Sequence, residues 1–238
     1  ENINLNSWGN SYGNAYYPAI VWLNKNAEKD AKLTLPVNLI GNIPRYKLRK
    51  DIALSYQYWS EVDHKGEYVV ELTYDYPQMD WFALKYLNTA MKPLYEVKVD
   101  GIAIAKVWKN DPQFVLPEYK NQKTIPAEIS CNKKSGYIEL SLSKPERIMR
   151  INLIQPTSNC TSLKTGYADT SIDGEVWIRE TEDIARDQLK HSRLKDLQQN
   201  FTYYFVAREA KYIRFHTEGL DSCLLNATSP SVLILNGG

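Results

Sequence analysis

The chain has 238 residues, of which 43% are hydrophobic and 24% are charged, a composition typical of a globular protein that buries a core. Its 29 basic and 28 acidic residues give a net charge of +1, so charge gives no support for a nucleic acid or an anionic membrane as partner. No apolar run approaches the ~20 residues of a membrane-spanning helix. The first ten residues lack the basic and apolar regions of a signal peptide, so the chain either follows a removed signal or is cytosolic.

The N-terminal stretch is rich in aromatic, Gly and Asn residues. Aromatic residues are scarce in disordered segments, so residues 1–45 are interpreted as an N-terminal wrap or connector that covers a sheet. A short strand is expected between Lys32 and Ile40, and Pro36 within it indicates an edge strand or an extended connector.

Residues 46–130 are predicted to form a first β-sandwich module. Apolar and polar residues alternate from Val69 to Asp75, which predicts an amphipathic strand. A second strand follows and turns back at Asp100-Gly101, a dipeptide that favours tight hairpins. Residues 110–123 carry two prolines and many polar residues, and are the best candidate for a linker between modules.

Residues 131–238 are predicted to form a second β-sandwich module. Period-two alternation from Tyr137 to Ser143 and again from Met149 to Leu153 predicts two strands, each with one buried face. A third strand leads into a hairpin at Asp173-Gly174, and a short surface helix is expected after it, in the segment that includes Leu194 and Leu197. Four residues are predicted to lie in the core: Leu140, Ile151, Trp177 and Ile213.

Four segments of this second module occur in the order of a known family. They are the runs ending in LSLSKP, RIMRINL, SIDGEVW and EAKYIRF, and together they resemble the discoidin, or coagulation factor 5/8 type C, family. The resemblance implies an all-β, jelly-roll, galactose-binding-like β-sandwich, which often holds a structural calcium ion and often serves as a non-catalytic sugar-binding module on secreted or surface proteins. A weaker echo in the first half indicates two modules in tandem, although one enlarged sandwich is an alternative.

Catalytic signatures are absent from the sequence. It contains no phosphate-binding loop, no HExxH and no GxSxG elbow, and its three histidines are scattered. Paired carboxylates could still serve a glycosidase, but 28 acidic residues offer too many pairs to choose from. The sequence therefore favours a non-catalytic protein and leaves an enzyme open.

Aromatic loops with polar neighbours suggest a carbohydrate site, because a ring can stack on a sugar while amides and carboxylates bond its hydroxyls. One such loop supplies Gln78, Asp80 and Trp81; the other candidate residues are Trp108, Asn110 and Asp111. For each ring taken alone, packing in the core is the simpler explanation. The expected ligand is a glycan or polysaccharide, and the expected location is secreted, periplasmic or on the cell surface.

Two other functions stay open at this point. The aromatic loops could recognise a partner protein, as in an adhesion module, or the chain could be an accessory region of a glycoside hydrolase or a small hydrolase itself. In each case it could belong to a larger enzyme or surface assembly.

The three cysteines bear on the cellular compartment. No CxxC or Cys/His cluster is present, which argues against a zinc site. Cys160 and Cys223 both follow predicted strands, so they are expected to pair in an oxidising compartment and to leave Cys131 free.

Overall fold

The computed structural model describes residues 14–37, 40–73, 82–132, 137–154, 166–179, 194–197, 200–217 and 228–235. The described residues form thirteen strands and three α-helices, and the strands make up two sheets, so the chain is predominantly β. The chain divides into two compact units: unit 1 ends at Leu116 and unit 2 begins at Pro117. This boundary lies inside the 110–123 segment that the sequence indicated as a linker.

Unit 1 contains a five-stranded mixed sheet and two of the helices. Its elements, in chain order, are α1 (Tyr16–Asn26), β1 (Lys32–Thr34), β2 (Ala53–Leu54), β3 (Tyr68–Leu72), α2 (Phe82–Ala90), β4 (Tyr95–Val99) and β5 (Ile102–Lys109). The strand order is β2-β1-β3-β5-β4, with β1 parallel to both neighbours and the other pairs antiparallel. The Asp100-Gly101 hairpin is confirmed, because both residues have positive φ, at 50° and 82°.

Helix α1 explains why the N-terminal segment is part of the unit rather than a wrap. Tyr16, Ala19, Ile20 and Leu23 recur at helical spacing and are all buried in one core cluster with the sheet. The Arg49 guanidinium donates hydrogen bonds to the carbonyls of Asn24, Ala27 and Glu28, and so satisfies backbone groups at the C-terminal end of α1.

For two strands of unit 1, the predicted position in the sheet or the predicted burial was wrong. Strand β1 is not an edge strand, because it pairs with β2 on one side and β3 on the other, and it ends before Pro36. Strand β3 is not amphipathic, because all five of its residues are buried. The residues on one face of β3 belong to the core cluster that contains α1. On the other face, the neighbouring strand β5 contacts α2, where Lys106 Nζ donates a hydrogen bond to Asn88 Oδ1 at 2.9 Å.

The described residues of unit 2 form eight strands and one short helix. Its elements are α3 (Pro117–Lys120), β6 (Gln122–Pro126), β7 (Glu128–Asn132), β8 (Tyr137–Ile154), β9 (Gly166–Ser171), β10 (Ile178–Arg179), β11 (Leu194–Leu197), β12 (Asn200–Thr217) and β13 (Thr228–Leu235). The main strand order is β10-β9-β12-β8-β13-β6, with β7 paired to β8 and β11 paired to β12.

Two long strands run through both layers of unit 2. The first part of β8 pairs with β7 and the later part pairs with β13, while β12 follows β8 along its whole length with register shifts at Tyr204/Arg208 and Ala210/Tyr212. Such shifts bend strands, which lets one pair serve two layers of a sandwich. Residues from both ends of these strands, such as Ile138 and Ile151, share a single core cluster.

The core predictions for unit 2 are confirmed for three residues and wrong for one. Leu140, Ile151 and Ile213 are fully buried in the core cluster, whereas Trp177 is only half-buried and lies outside that cluster. The expected helix was also wrong where the structure describes it: Leu194–Leu197 is strand β11 and pairs with β12. Cys160 and Cys223 lie outside the described residues, so their bridge stays a prediction.

Candidate functional site

The predicted ligand-binding residues fall into two groups. Gln78, Asp80 and Trp81 lie outside the described residues. Trp108 and Asn110 are fully buried, so in this structure they present no surface to a ligand. Trp108 lies in β5, the returning strand of the hairpin, which continues to Lys109. The alternation of side chains along this strand directs the Trp108 ring inward.

Asn110 is part of a buried polar network that supports the loop before β3. Its Nδ2 donates to Ser60 Oγ at 3.0 Å, to the Glu61 carbonyl at 2.8 Å and to Glu67 Oε1 at 2.7 Å. Asp111 caps the turn after β5 by accepting the Gln113 N–H at 3.0 Å. These contacts give Asn110 and Asp111 structural roles that loop composition alone could not reveal.

A different set of side chains comes together on the outer face of the unit 2 sheet. The residues that alternate with the buried ones on three adjacent strands point to this face: Tyr137 and Glu139 from β8, Arg214 and His216 from β12, and Tyr167 and Asp169 from β9. Their pairing across the strands is direct, with Tyr137 opposite His216 and His216 opposite Tyr167. Together with Trp177 and Arg179 at the rim, these residues are called the outer-face cluster.

The planar groups of the cluster form a continuous stack across four strands. The Arg179 guanidinium lies 4.1 Å from the Tyr167 ring centroid, and Tyr167 stacks on His216 at 4.5 Å. His216 then contacts the tilted ring of Tyr137 at 5.3 Å. Because these flat faces are covered by their neighbours, the stack presents ring edges and polar ends to solvent.

The stack ends at a second guanidinium held between two rings. Arg214 lies 4.7 Å from the Tyr137 centroid and 3.6 Å from the Trp177 centroid. Strand β12 lies between β8 and β9, so Tyr137 approaches Arg214 from one neighbouring strand and Trp177 from the β9–β10 connection on the other side. Cation–π contacts of this kind fix the orientation of a guanidinium.

The two carboxylates of the cluster are engaged by its cations. Glu139 Oε2 accepts from Arg214 Nε at 2.8 Å, and Asp169 Oδ1 accepts from Arg179 Nε at 3.3 Å. Asp169 Oδ2 also lies 2.9 Å from His216 Nε2, at ion-pair distance but not aligned for a hydrogen bond. Most oxygens of the two carboxylates therefore already contact side chains of the same sheet face.

The β9–β10 connection holds Trp177 in place. Asp173 Oδ1 accepts the N–H groups of Val176 and Glu175, and these bonds, with one from the Ser171 hydroxyl, lower the pKa of the Asp173 carboxyl. Trp177 Nε1 donates to the Gly174 carbonyl at 3.0 Å. The connection spans six residues between Ser171 and Ile178, longer than the tight hairpin that the sequence suggested.

Polar ends of the cluster are open to a ligand. Within the described part of the chain, the hydroxyls of Tyr137 and Tyr167 make no hydrogen bond, and Arg214 uses only its Nε. Both tyrosines and Arg214 are half-buried, so each side chain is packed against its neighbours and still has part of its surface in contact with solvent. A rigid row of hydroxyls and guanidinium N–H groups is suited to binding a polar ligand.

Two further features concern membrane-spanning helices and metal sites. None of the helices in the described ranges has the length and apolar character to cross a bilayer. Across those same ranges, no group of three or more His, Cys, Asp or Glu side chains is placed to hold a metal ion. The structural calcium ion implied by the resemblance stays a prediction.

Comparison with known proteins gives structural neighbours only. No family model and no curated protein matches the chain. Solved structures that are similar include the CBM32-3 module of a family 31 glycoside hydrolase from Clostridium perfringens, with 16% identity over 51% of this chain and 94% of that one, at a TM-score of 0.26. Another is the CBM32 of AlyQ in complex with 4,5-unsaturated mannuronic acid, with 12% identity over 60% of this chain and 93% of that one, at 0.29.

A third neighbour is a pectin-binding carbohydrate-binding module, with 18% identity over 50% of this chain and 73% of that one, at a TM-score of 0.26. The neighbours are thus modules of the galactose-binding-like, discoidin-like type that the sequence motifs resemble. TM-scores this low support no statement about what this chain binds, so its function has to be inferred from its own geometry.

Proposed function

We propose that the chain is a non-catalytic, extracytoplasmic carbohydrate-binding protein and that unit 2 binds its glycan at the outer-face cluster. The observation that carries the proposal is the row of open tyrosine hydroxyls and guanidinium N–H groups fixed on a rigid sheet face. Sugars are recognised by several hydrogen bonds made at once, and groups that are already ordered lose little entropy when they bind. The stacking of Tyr137, Tyr167 and His216 supplies that order.

The predicted loop residues Gln78, Asp80 and Trp81 remain a second proposed binding region. A Trp81→Ala variant is expected to abolish glycan binding if this region carries the site, and to leave the thermal transition nearly unchanged. Loss of stability with unaltered binding would instead mean that the ring is a core residue. The same assay applied to variants of the outer-face cluster decides which region binds.

The test begins with a glycan array on the unmodified protein, followed by calorimetric titration with the best ligand. Tyr137→Phe and Tyr167→Phe remove only the hydroxyls and keep the stacked rings. Each is expected to weaken binding roughly 2- to 10-fold, the usual range for one hydrogen bond. Tyr46→Phe, at an 83% exposed position in unit 1, is the matched control and should bind like the parent.

The array result has two outcomes that count against the proposal. Absence of binding across a broad panel would overturn carbohydrate binding for this chain. Normal binding by the Tyr137→Phe/Tyr167→Phe double variant would move the site away from the outer-face cluster.

A protein-interaction function is supported by one observation. Ile172, Val176 and Ile178 are all more than half exposed; the first two lie on the β9–β10 connection and Ile178 is the first residue of β10. Exposed apolar side chains at one site are typical of contact surfaces. An adhesion role predicts that Val176→Asp abolishes partner binding while glycan binding is retained.

A further inference from the structure

The outer-face cluster contains more free hydrogen-bond donors than free acceptors. A guanidinium has five N–H donors, and among the described residues Arg214 uses one of them on Glu139, which leaves four. The hydroxyls of Tyr137 and Tyr167 add two further donors. On the acceptor side, the same two hydroxyls can also accept, Asp169 Oδ1 already faces Arg179 and its Oδ2 faces His216, and Glu139 retains one oxygen outside its contact with Arg214, so donors still outnumber acceptors.

This imbalance matters because neutral and anionic sugars differ in what they require. A sugar hydroxyl both donates and accepts, so a site for neutral sugars needs acceptors as well as donors. A carboxylate only accepts, and its two oxygens match the fork of a guanidinium. A donor-rich face is therefore better suited to a carboxylate than to a row of hydroxyls.

The setting of Arg214 strengthens this match. The ring centroids of Tyr137 and Trp177 lie 4.7 and 3.6 Å from its guanidinium carbon, and its Nε donates to Glu139, so the remaining N–H groups are those of the outer edge, on Nη1 and Nη2. The side chain is 28% exposed, which leaves that edge accessible. Arg179, at the other end of the stack, is 57% exposed and adds a second positive charge.

We propose that the outer-face cluster selects glycans that carry carboxylates, that is, polymers or oligomers of uronic acids, with Arg214 as the residue that determines this specificity. The inference rests on the proposed glycan binding at the same cluster and adds the class of sugar. The acidic groups that face these cations are Glu139, next to Arg214, and Asp169, next to Arg179.

The experiment compares two polymers that have the same sugar backbone, one with free carboxylates and one with the carboxylates converted to neutral methyl esters. Polygalacturonate and its methyl-esterified form are titrated into the intact chain by calorimetry, with a neutral galactan as a third probe. Esterification is expected to weaken binding roughly tenfold or more, because charged hydrogen bonds contribute more than neutral ones. Binding of polygalacturonate should also fall as salt is raised, since the contact is partly exposed.

Variants then assign the effect to the cluster. Arg214→Lys keeps the charge but loses the fork, and should reduce the preference for polygalacturonate over its ester. Because Arg214 also contacts Trp177, Arg179→Gln provides a second variant at an exposed position and should lower polygalacturonate affinity on a correctly folded protein. Lys144→Gln, at a 73% exposed position in the same unit, is the control and should change neither value.

The outcomes separate the inference from the proposed function. Equal affinity for both polymers, or binding confined to the galactan and other neutral glycans, overturns the selectivity for carboxylates and leaves carbohydrate binding in place. Failure to bind any glycan overturns both. A preference for polygalacturonate that survives in Arg214→Lys and Arg179→Gln overturns the assignment to this cluster.

Discussion

The guanidinium carbon of Arg214 lies 3.6 Å from the ring centroid of Trp177, which joins β12 to the β9–β10 connection through a cation–π contact. The same guanidinium is bonded to Glu139 of β8, so one side chain links β8, β12 and this connection. The contact holds a half-buried indole at the rim of the sheet instead of in the core between the layers.

Trp177→Ala is expected to lower the free energy of unfolding of unit 2 by about 1 to 2 kcal/mol, the range of a partly desolvated cation–π contact. Denaturant unfolding followed by circular dichroism measures this change. Val176→Ala, at the adjacent and 67% exposed position, is the control and should shift stability by less than about 0.5 kcal/mol. A loss above about 3 kcal/mol would be that of a fully buried ring and would contradict the assignment.

Gly174→Ala is expected to destabilise unit 2 by about 1 to 2 kcal/mol, because Gly174 has a φ of 84° that other residues adopt only with strain. Space is not the cause, since an added Cβ would lie 3.5 Å from Tyr212 Cε2, an ordinary contact distance. Gly41→Ala, where no atom lies within 4 Å of the added Cβ, should leave stability unchanged or slightly raised. Thermal unfolding of both variants checks the difference, and equal behaviour would contradict the role of the backbone conformation.

Asn110→Asp is expected to destabilise unit 1 by about 3 to 5 kcal/mol, because it puts a second carboxylate next to the buried carboxylate of Glu67 and removes one of the donors to it, leaving those of Ser60. The control, Asn88→Asp, makes the same chemical change at an exposed helix position where the partner is Lys106, and should have little effect. Chemical denaturation gives both values. Unchanged stability with weakened glycan binding would return Asn110 to the ligand-binding residues predicted from the sequence.

The pH dependence of unit 1 should contain a contribution from His64. Burial lowers the pKa of His64, against the opposing effect of Glu67, Asp63 and Asp111, and its Nε2 lies 2.6 Å from the Tyr86 hydroxyl. The unfolded chain therefore takes up a proton at a higher pH than the folded one. The neutral ring contributes its full stability above the unfolded pKa of about 6.5, and this contribution is lost as the pH falls below that value.

The measurement is the free energy of unfolding between pH 7.5 and 5.5 for the parent and for His64→Gln. The parent should lose more stability on acidification, and the difference between the two curves isolates His64 from the carboxylates. Parallel curves for the two proteins would show that His64 makes no such contribution.

The sequence predicted where strands lie better than it predicted how they are buried by neighbouring elements. Alternation in β8 located the buried Leu140 and Ile151 correctly, because a sheet with one buried face imposes period two. It failed for β3, since a strand covered on both faces is buried throughout. Helix α1 was missed because its Asn, Gly and aromatic surroundings resemble loop composition, and burial against the sheet outweighs that local preference.

The outer-face cluster was not predicted, for a physical reason. Its members come from four strands and the β9–β10 connection, and Tyr137 and His216, which are far apart in the sequence, become neighbours only through the register of β8 against β12. The candidate loop around Trp81 was inferred from local composition, the only signal that a single sequence offers for such a site. The loop prediction therefore stays untested, while the predictions for Trp108 and Asn110 were corrected by the burial of both side chains.

The position of β13 has a consequence for the order of events during synthesis. This strand is the last described element of the chain, yet it lies inside the sheet, between β8 and β6. Strand β6 is the first strand of unit 2 to be synthesised, and it can pair only after β13 has been synthesised. Unit 2 therefore cannot complete its sheet until residue 235 has left the ribosome. Until then β8 exposes an unpaired, apolar edge, and a chain released before Thr228 would keep that edge permanently as a site for aggregation.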